Sequence, residues 1–522
     1  MDFLKAFETK ILNESNEEIL LQGFGLGGWL LPEGYMWKLY TKCDRPRRME
    51  KLIEGLCGQE YAKDFWQGYF DSYITRTDIE LIAEQGFNSV RLPLNARILF
   101  NAETQSFYQD IIARVDKLIE WCRDLGIYVI LDMHGAPGGQ TGTNIDDSEN
   151  DLPELFTNQK NRDDLILLWR LLAQRYRDEA CVAGYDLLNE PLPDWFSRYN
   201  EMVLPLYTDI AKAIRQVDSR HMLILEGVHW ATDFKIFDEL ESREFDSNYM
   251  LQFHKYWSTP DIESIHKYVD YSRKLNVPLF MGEGGENNLD WYAGFFNMLT
   301  GHGISYSFWS YKKMSCDNSP VTFKIPEGWD RLIAYIDNSL ELSQEDACTI
   351  FDEFIKEIKQ PVIKYDVINA IRRQAPVSIP AEYFDESYSV FPREKGAEIR
   401  MTENTTILFD NGKNGVPDYK RYGGEIQPET EQIIVKLCSE EYVKYKFLVK
   451  EDGEYRIEIY CRAEDNGMLA GLILDDAHIA DLSMEQKMSC VTVPQPLFLK
   501  KGWHNMGVLS QGVIYIRRIN II

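Results

Sequence analysis

From about residue 20 to residue 310 the chain alternates between two hydrophobic rhythms. Short, almost wholly apolar runs read as strands buried on both faces, and the stretches between them, apolar at every third or fourth position, read as amphipathic helices. Strands are expected over 23–31, 88–93, 128–134, 182–188, 223–227, 250–254, 278–283 and 304–309. Helices are expected over 77–85, 111–125, 163–176, 203–217, 262–275 and 291–299. Thr77, with Glu80 three residues on, reads as the N-cap of the first helix and Gly86 as its stop. Such alternation implies a parallel sheet. Eight strands close a (β/α)8 TIM barrel. A doubly wound open sheet is the competing arrangement, but it leaves edge strands, and all eight runs look buried.

Helices over 348–358 and 362–373 end this part. Beyond residue 404 the period shortens to two, as in Tyr442–Val449, and turn pairs such as Asp452-Gly453 and Lys501-Gly502 separate the runs. That pattern predicts an all-β, jelly-roll-like sandwich. The expected division is a barrel domain over 1–375, a connector over 376–403 and a sandwich over 404–522.

Composition narrows the partners. The 522 residues carry a formal net charge of −27, which argues against a nucleic-acid backbone or an anionic membrane surface. The nine cysteines are odd in number, scattered and without zinc-ligand spacing; Cys122, Cys181 and Cys461 lie in apolar runs and read as buried free thiols. Residues 1–10 lack the apolar core of a secretory signal, and no run is long enough to span a bilayer, so a cytoplasmic protein is expected.

The candidate chemistry lies where strands end. The run into Asn189-Glu190 is cut by Pro191, and a second run ends in Gly282-Glu283. Fourth and seventh strands face each other across a barrel mouth. Two carboxyl groups there can cleave a glycosidic bond: about 5–5.5 Å apart they act as acid and nucleophile with retention, and a wider gap inverts. The acid needs a raised pKa and the nucleophile a lowered one. Arg91 and Tyr256 are natural donors to the nucleophile, His254 can sit beside the acid, and Trp309 offers a flat face to a sugar ring. His134 ends the third strand. Trp37, Trp195, Trp230, Trp257 and Trp291 divide between sugar stacking and loop packing, with nothing in the sequence to sort them.

As a set, Arg91, His134, Asn189-Glu190-Pro191, His254-x-Tyr256, Glu283 and Trp309 resemble glycoside hydrolase family 5, a retaining (β/α)8 family. The resemblance implies that Glu190 is the acid/base and Glu283 the nucleophile. It also implies that Asn189 and His134 bind sugar hydroxyls and that Tyr256 holds the nucleophile. Gly23–Leu31 followed by Glu33, and the segment Leu131–Gln140, are similar to the exo-β-1,3-glucanase-like branch, in which Glu33 would clamp the non-reducing-end sugar. Gly34-Tyr35 departs from that branch. The sandwich resembles carbohydrate-binding modules, and a purely buttressing role is the alternative. The expected activity is retaining hydrolysis of β-linked, gluco-configured oligosaccharides or glycosides, from the non-reducing end. A β-mannosidase, an endo-β-glucanase, a transglycosylase and a non-catalytic sugar-binding protein are the alternatives. No cofactor and no metal are expected.

Overall fold

The computed structural model describes residues 1–40, 42–240, 245–419 and 431–522. It contains two compact units. The first comprises Met1–Lys255, Tyr268–Gly285 and Ile304–Ile363, and the second Tyr256–Lys267, Glu286–Gly303 and Lys364–Ile522.

The first unit is a closed barrel of eight parallel strands: β1 (Gln22–Gly25), β2 (Ser89–Asn95), β3 (Tyr128–Gly135), β4 (Val182–Asp186), β5 (Met222–Glu226), β6 (Tyr249–His254), β7 (Leu279–Gly285) and β8 (Ser305–Trp309). Each strand pairs with its sequence neighbours, and β8 closes on β1. The open-sheet alternative is thereby excluded. Helix Gln109–Leu125 shows how the rhythm becomes packing: Ile111, Ile112, Val115, Leu118, Ile119 and Cys122 are its buried face, and Gly126 ends it at φ 72°. An N-terminal hairpin, Lys5–Phe7 with Lys10–Leu12, was not foreseen. Its Leu4 and Ile11 share a buried cluster with Tyr128, Ile130, Met222, Ile224, Met250 and Phe280 from the starts of the strands.

Three expectations shift. The first strand stops at Gly25 rather than Leu31. The first barrel helix is Arg76–Glu84, and its capping box is Thr75 with Asp78, not Thr77 with Glu80. Both pairs fit the same four-residue spacing, so the pattern alone does not choose between them. Residues 46–73, left without structure by the sequence reading, form helices Pro46–Cys57 and Gln59–Tyr73, which pack on helix Gln344–Ile358.

The second unit does not follow the chain. Helix Leu289–Gly301, which comes between β7 and β8, groups with helix Tyr365–Arg372 and strand Val377–Pro380. Its sequence is apolar nearly all round, and seven of its residues are buried. The rest is mostly antiparallel sheet: β9 (Val377–Pro380), β10 (Glu386–Tyr388), β11 (Thr406–Phe409), β12 (Ile433–Leu437), β13 (Tyr442–Val449), β14 (Ile457–Ala463), β15 (Met468–Leu474), β16 (Ala477–Met484), β17 (Ser489–Thr492), β18 (Gly502–Ser510) and β19 (Ile514–Ile521). One sheet runs β11-β12-β19-β14-β17 with β9 also on β19, and the other β10-β13-β18-β15-β16. Val443, Tyr445, Phe447 and Val449 face the shared core while Lys444 and Lys446 alternate outward. The stretch read as a connector thus supplies β9 and β10 to these sheets.

Cys122, Cys181 and Cys461 are buried free thiols. No helix among the described residues is long and apolar enough to cross a membrane.

Candidate active site

Alternation along a strand puts residues two apart on one face, and inside a barrel that face converges on the axis. Asp132 and His134 of β3 share it, as do Gln252 and His254 of β6. Arg91 projects from early in β2, and Glu226 and Trp309 end β5 and β8. Glu283 lies within β7. Glu190 lies beyond β4, which ends at Asp186 rather than at Leu188. There the chain turns sharply, with Glu190 at φ 44° and Leu192 at φ 60°.

Arg91 is fully buried and serves every side of this interior. Its Nε donates to Asp186 Oδ2 at 2.8 Å, Nη1 to Glu283 Oε1 at 2.7 Å, and Nη2 to Asn189 Oδ1 at 2.8 Å and Glu226 Oε1 at 3.1 Å. Asp132 Oδ1 stands 3.1 Å from Nη2. Four carboxyl groups around one guanidinium cannot all be charged cheaply in a dry interior. Burial accordingly pushes Asp132 up to about 8, against the pull of Arg91, and holds Asp186 well above its ordinary range. Burial also acts upward on Glu226, but His254, Arg91 and the Glu190 backbone N–H outweigh it and hold Glu226 below its ordinary value.

The two predicted catalytic carboxyl groups meet at His254. Its Nδ1 is 2.7 Å from Glu190 Oε1 and 3.5 Å from Glu283 Oε2, and one donor atom from each of the three residues lies within 4.8 Å of the others. Burial would depress the imidazole, but Glu283, Glu226 and the Glu190 bond overcome it and hold His254 well above its usual pKa. The two carboxyl groups thus favour the charged form of the ring between them. Glu283 departs from expectation: it is fully enclosed, and burial pushes its pKa up despite His254 and Arg91.

Opposite them, Trp309 stacks on His134 with ring centroids 5.2 Å apart and planes 7° from parallel. Burial holds His134 down to about 4, so the ring is neutral. Asn189 Nδ2 lies 3.4 Å from His134 Nε2, which leaves Nδ1–H to donate to Asp132 Oδ2 at 2.7 Å. Gln140 fixes the loop behind them, its amide nitrogen donating to His134 O at 2.7 Å and Asn189 O at 3.0 Å. The glycines of the opening run make room for the indole, because a Cβ at Gly25 or Gly27 would stand 2.6 Å or 2.8 Å from the Trp309 ring. Trp309 Nε1 donates to Tyr35 at 3.0 Å.

Arg91, His134, Asn189, Glu190, His254, Glu283 and Trp309 thus form one contact network. Glu33 is buried in the turn after β1, just ahead of the short helix Gly34–Trp37. Tyr256 belongs to the second unit, where its carbonyl accepts from Asn287 Nδ2 at 3.4 Å and its ring packs on Trp257. Of the loop tryptophans, Trp37 and Trp291 are packed inside, whereas Trp195 is 60% exposed and meets Trp230 edge-on at 5.8 Å. Sequence reasoning missed Asp132, Asp186 and Gln252; their signal was a polar residue two positions from a marked histidine, or ending an apolar run.

Glu190, His254 and Glu283 are also the one trio of possible metal donors among the described residues. Within it, His254 Nδ1 is already engaged by Glu190 Oε1 at 2.7 Å and lies 3.5 Å from Glu283 Oε2.

The family model described as cellulase (glycosyl hydrolase family 5) matches residues 54–315. A "Beta-xylosidase" of Phanerodontia chrysosporium is 31% identical over 269 residues, 50% of this chain and 53% of that protein. "Endoglucanase C" of Acetivibrio thermocellus is 27% identical over 331 residues, 49% of this chain and 91% of that protein. A "Probable glucan 1,3-beta-glucosidase A" of Aspergillus fumigatus is 25% identical over 272 residues, covering 51% and 64%. The match to the xylosidase spans about half of that protein's own length. Residues 54–315 carry the barrel from β2 to β8 and the network at its mouth, and the chain belongs to glycosyl hydrolase family 5.

Proposed function

We propose that this enzyme hydrolyses β-linked, gluco-configured glycosides or oligosaccharides from the non-reducing end, by double displacement with retention. One observation carries the mechanism: carboxyl oxygens of Glu190 and Glu283 lie within 4.8 Å of each other. That gap suits direct attack on the anomeric carbon and leaves no room for the water an inverting enzyme needs. Glu283 is the nucleophile, because its carboxyl receives the Arg91 N–H and lies beside His254, and both oppose the burial that raises its pKa. Glu190 is the acid/base: it protonates the departing oxygen, then takes a proton from the water that releases the sugar. His254, hydrogen-bonded to Glu190, steadies it through both transfers. His134 and Asn189 present polar edges to the sugar, and Trp309 its indole edge.

The substrate reading draws on the names of the relatives, a β-xylosidase, an endoglucanase and a glucan 1,3-β-glucosidase. The test is a panel of aryl β-glycosides with Glu190→Gln and Glu283→Gln, with the product anomer followed by proton NMR. Both variants should lose turnover, and the wild type should release the β-anomer first. Undiminished turnover in either variant, or release of the α-anomer, overturns the mechanism. Products of mixed length from a β-glucan would replace the exo assignment with an endo one.

A further inference from the structure

Glu226 ends β5 at 0% exposure, closed off from any substrate. Its two oxygens face different parts of the machinery. Oε2 accepts from the Glu190 backbone N–H at 2.6 Å. Oε1 accepts from the Gln252 amide and from Arg91 Nη2, and lies 3.5 Å from His254 Nε2. The other nitrogen of that imidazole holds Glu190 Oε1 at 2.7 Å. One carboxylate therefore grips Glu190 twice, by its main chain and, through His254, by its side chain.

The grip matters because Glu190 sits at φ 44°, a conformation that residues with a Cβ rarely adopt. A main-chain N–H bound to a carboxylate is a charge-assisted bond and fixes the turn from which the acid projects. The charged and titratable groups that act on Glu226 come from the strands around it: Arg91, Asp132, His134, Asp186 and His254, with Glu190 held through its main chain. Tyr207 donates to its carbonyl at 3.0 Å. Of these, Arg91 carries positive charge and His254 is held toward its charged form.

We infer that Glu226 is a positioning residue for the acid/base, holding the Glu190 turn and, through His254, aiming the Glu190 carboxyl at the leaving-group oxygen. This rests on the reading of Glu190 as acid/base.

Leaving groups supply the test. A 2,4-dinitrophenyl β-glucoside departs without a proton, whereas a phenyl β-glucoside needs one. In Glu226→Gln the charge is gone, and one end of the amide offers N–H where an acceptor is required. On the phenyl substrate kcat/KM should fall by about 10²-fold, the scale of a general-acid contribution. On the dinitrophenyl substrate the loss should stay under about tenfold. The ratio between substrates depends only on the folded molecules, so partial misfolding leaves it in place. Glu226→Asp, with the charge kept on a shorter arm, should change the ratio in the same direction by less. Equal losses on both substrates, or no loss, overturn the inference. Glu190→Ala, run alongside, should show the same selectivity more strongly. If it treats both substrates alike, the acid/base reading itself fails, and the role of Glu226 with it.

Discussion

Arg91 Nη1 meets Glu283 Oε1 at 2.7 Å, with the two side chains 0% and 5% exposed. The pair lies inside the barrel wall, and the same guanidinium binds Asp186, Asn189 and Glu226. A lysine carries one compact charge and cannot span those partners. Arg91→Lys should therefore lose stability, with about 3–5 kcal/mol as the scale for breaking a buried pair. It should also lose about 10²-fold or more in kcat, because Glu283, the proposed nucleophile, loses an oriented donor. Urea unfolding and turnover of an aryl glycoside measure the two effects. A variant with wild-type stability would show that the four partners do not depend on a fork.

The tight fit of Gly25 and Gly27 under Trp309 gives a second expectation. With a methyl at either position, the indole can yield only by leaving its stack on His134 and its bond to Tyr35. Gly25→Ala is expected to cost about 1–3 kcal/mol, the usual scale of overpacking, and to raise KM. Combined with Trp309→Ala, which removes the obstacle, it should cost little more than Trp309→Ala alone. A double-mutant cycle measures that coupling; additive effects would mean the contact is not what makes glycine necessary.

The third expectation concerns pH. Glu382 in the second unit is 2% exposed, and burial pushes its carboxyl up to about 8. Its Oε2 has no hydrogen-bond partner among the described residues. The unfolded chain releases that proton near the ordinary glutamate value of about 4.3, whereas the folded chain keeps it until about 8. The folded state thus binds the extra proton between those values. The stability it contributes is complete below the lower value and is lost as pH rises through the upper. Glu382→Gln keeps the shape and removes the ionisation. Its Tm should match wild type near pH 4 and exceed it by at least roughly 2–4 °C near pH 8.5. Asp132 and Asp186 add to the same slope, so the decline should become shallower without disappearing. Equal Tm values at the alkaline end would show that Glu382 does not lose its proton there.

Much of the barrel was readable because a strand buried on both faces has no polar positions to confuse its run, as in Leu279–Gly285. The ends were less readable. Gly23–Leu31 looked continuous, yet Gly28 takes φ 85° and breaks the strand direction, and Trp29 turns to bond the Phe70 carbonyl. Strand β16 carries little apolar signal, because Ala477, His478, Asp481 and Ser483 face solvent. The candidate residues His134, Glu283 and His254 were picked out because each closes an apolar run in the sequence. Asp132, Asp186 and Gln252 were not, because an acid or amide inside an apolar run reads as an irregularity until its partner is known. That partner, Arg91, lies far off in sequence: 95 residues separate it from Asp186. The assignment of helix Leu289–Gly301 to the second unit was illegible for the same reason: periodicity tells that a helix is buried, not by what.

Strand β19 pairs with β14 along one edge and, along the other, with β12 at its start and β9 at its end. Residues 377–380 must therefore wait for residues 518–521 to be synthesised before their ladder exists. During that interval β9, β12 and β14 present bare edges, open to pairing with a neighbouring nascent chain. Yield of soluble protein from crowded, fast translation should be governed by this late stitch more than by the barrel.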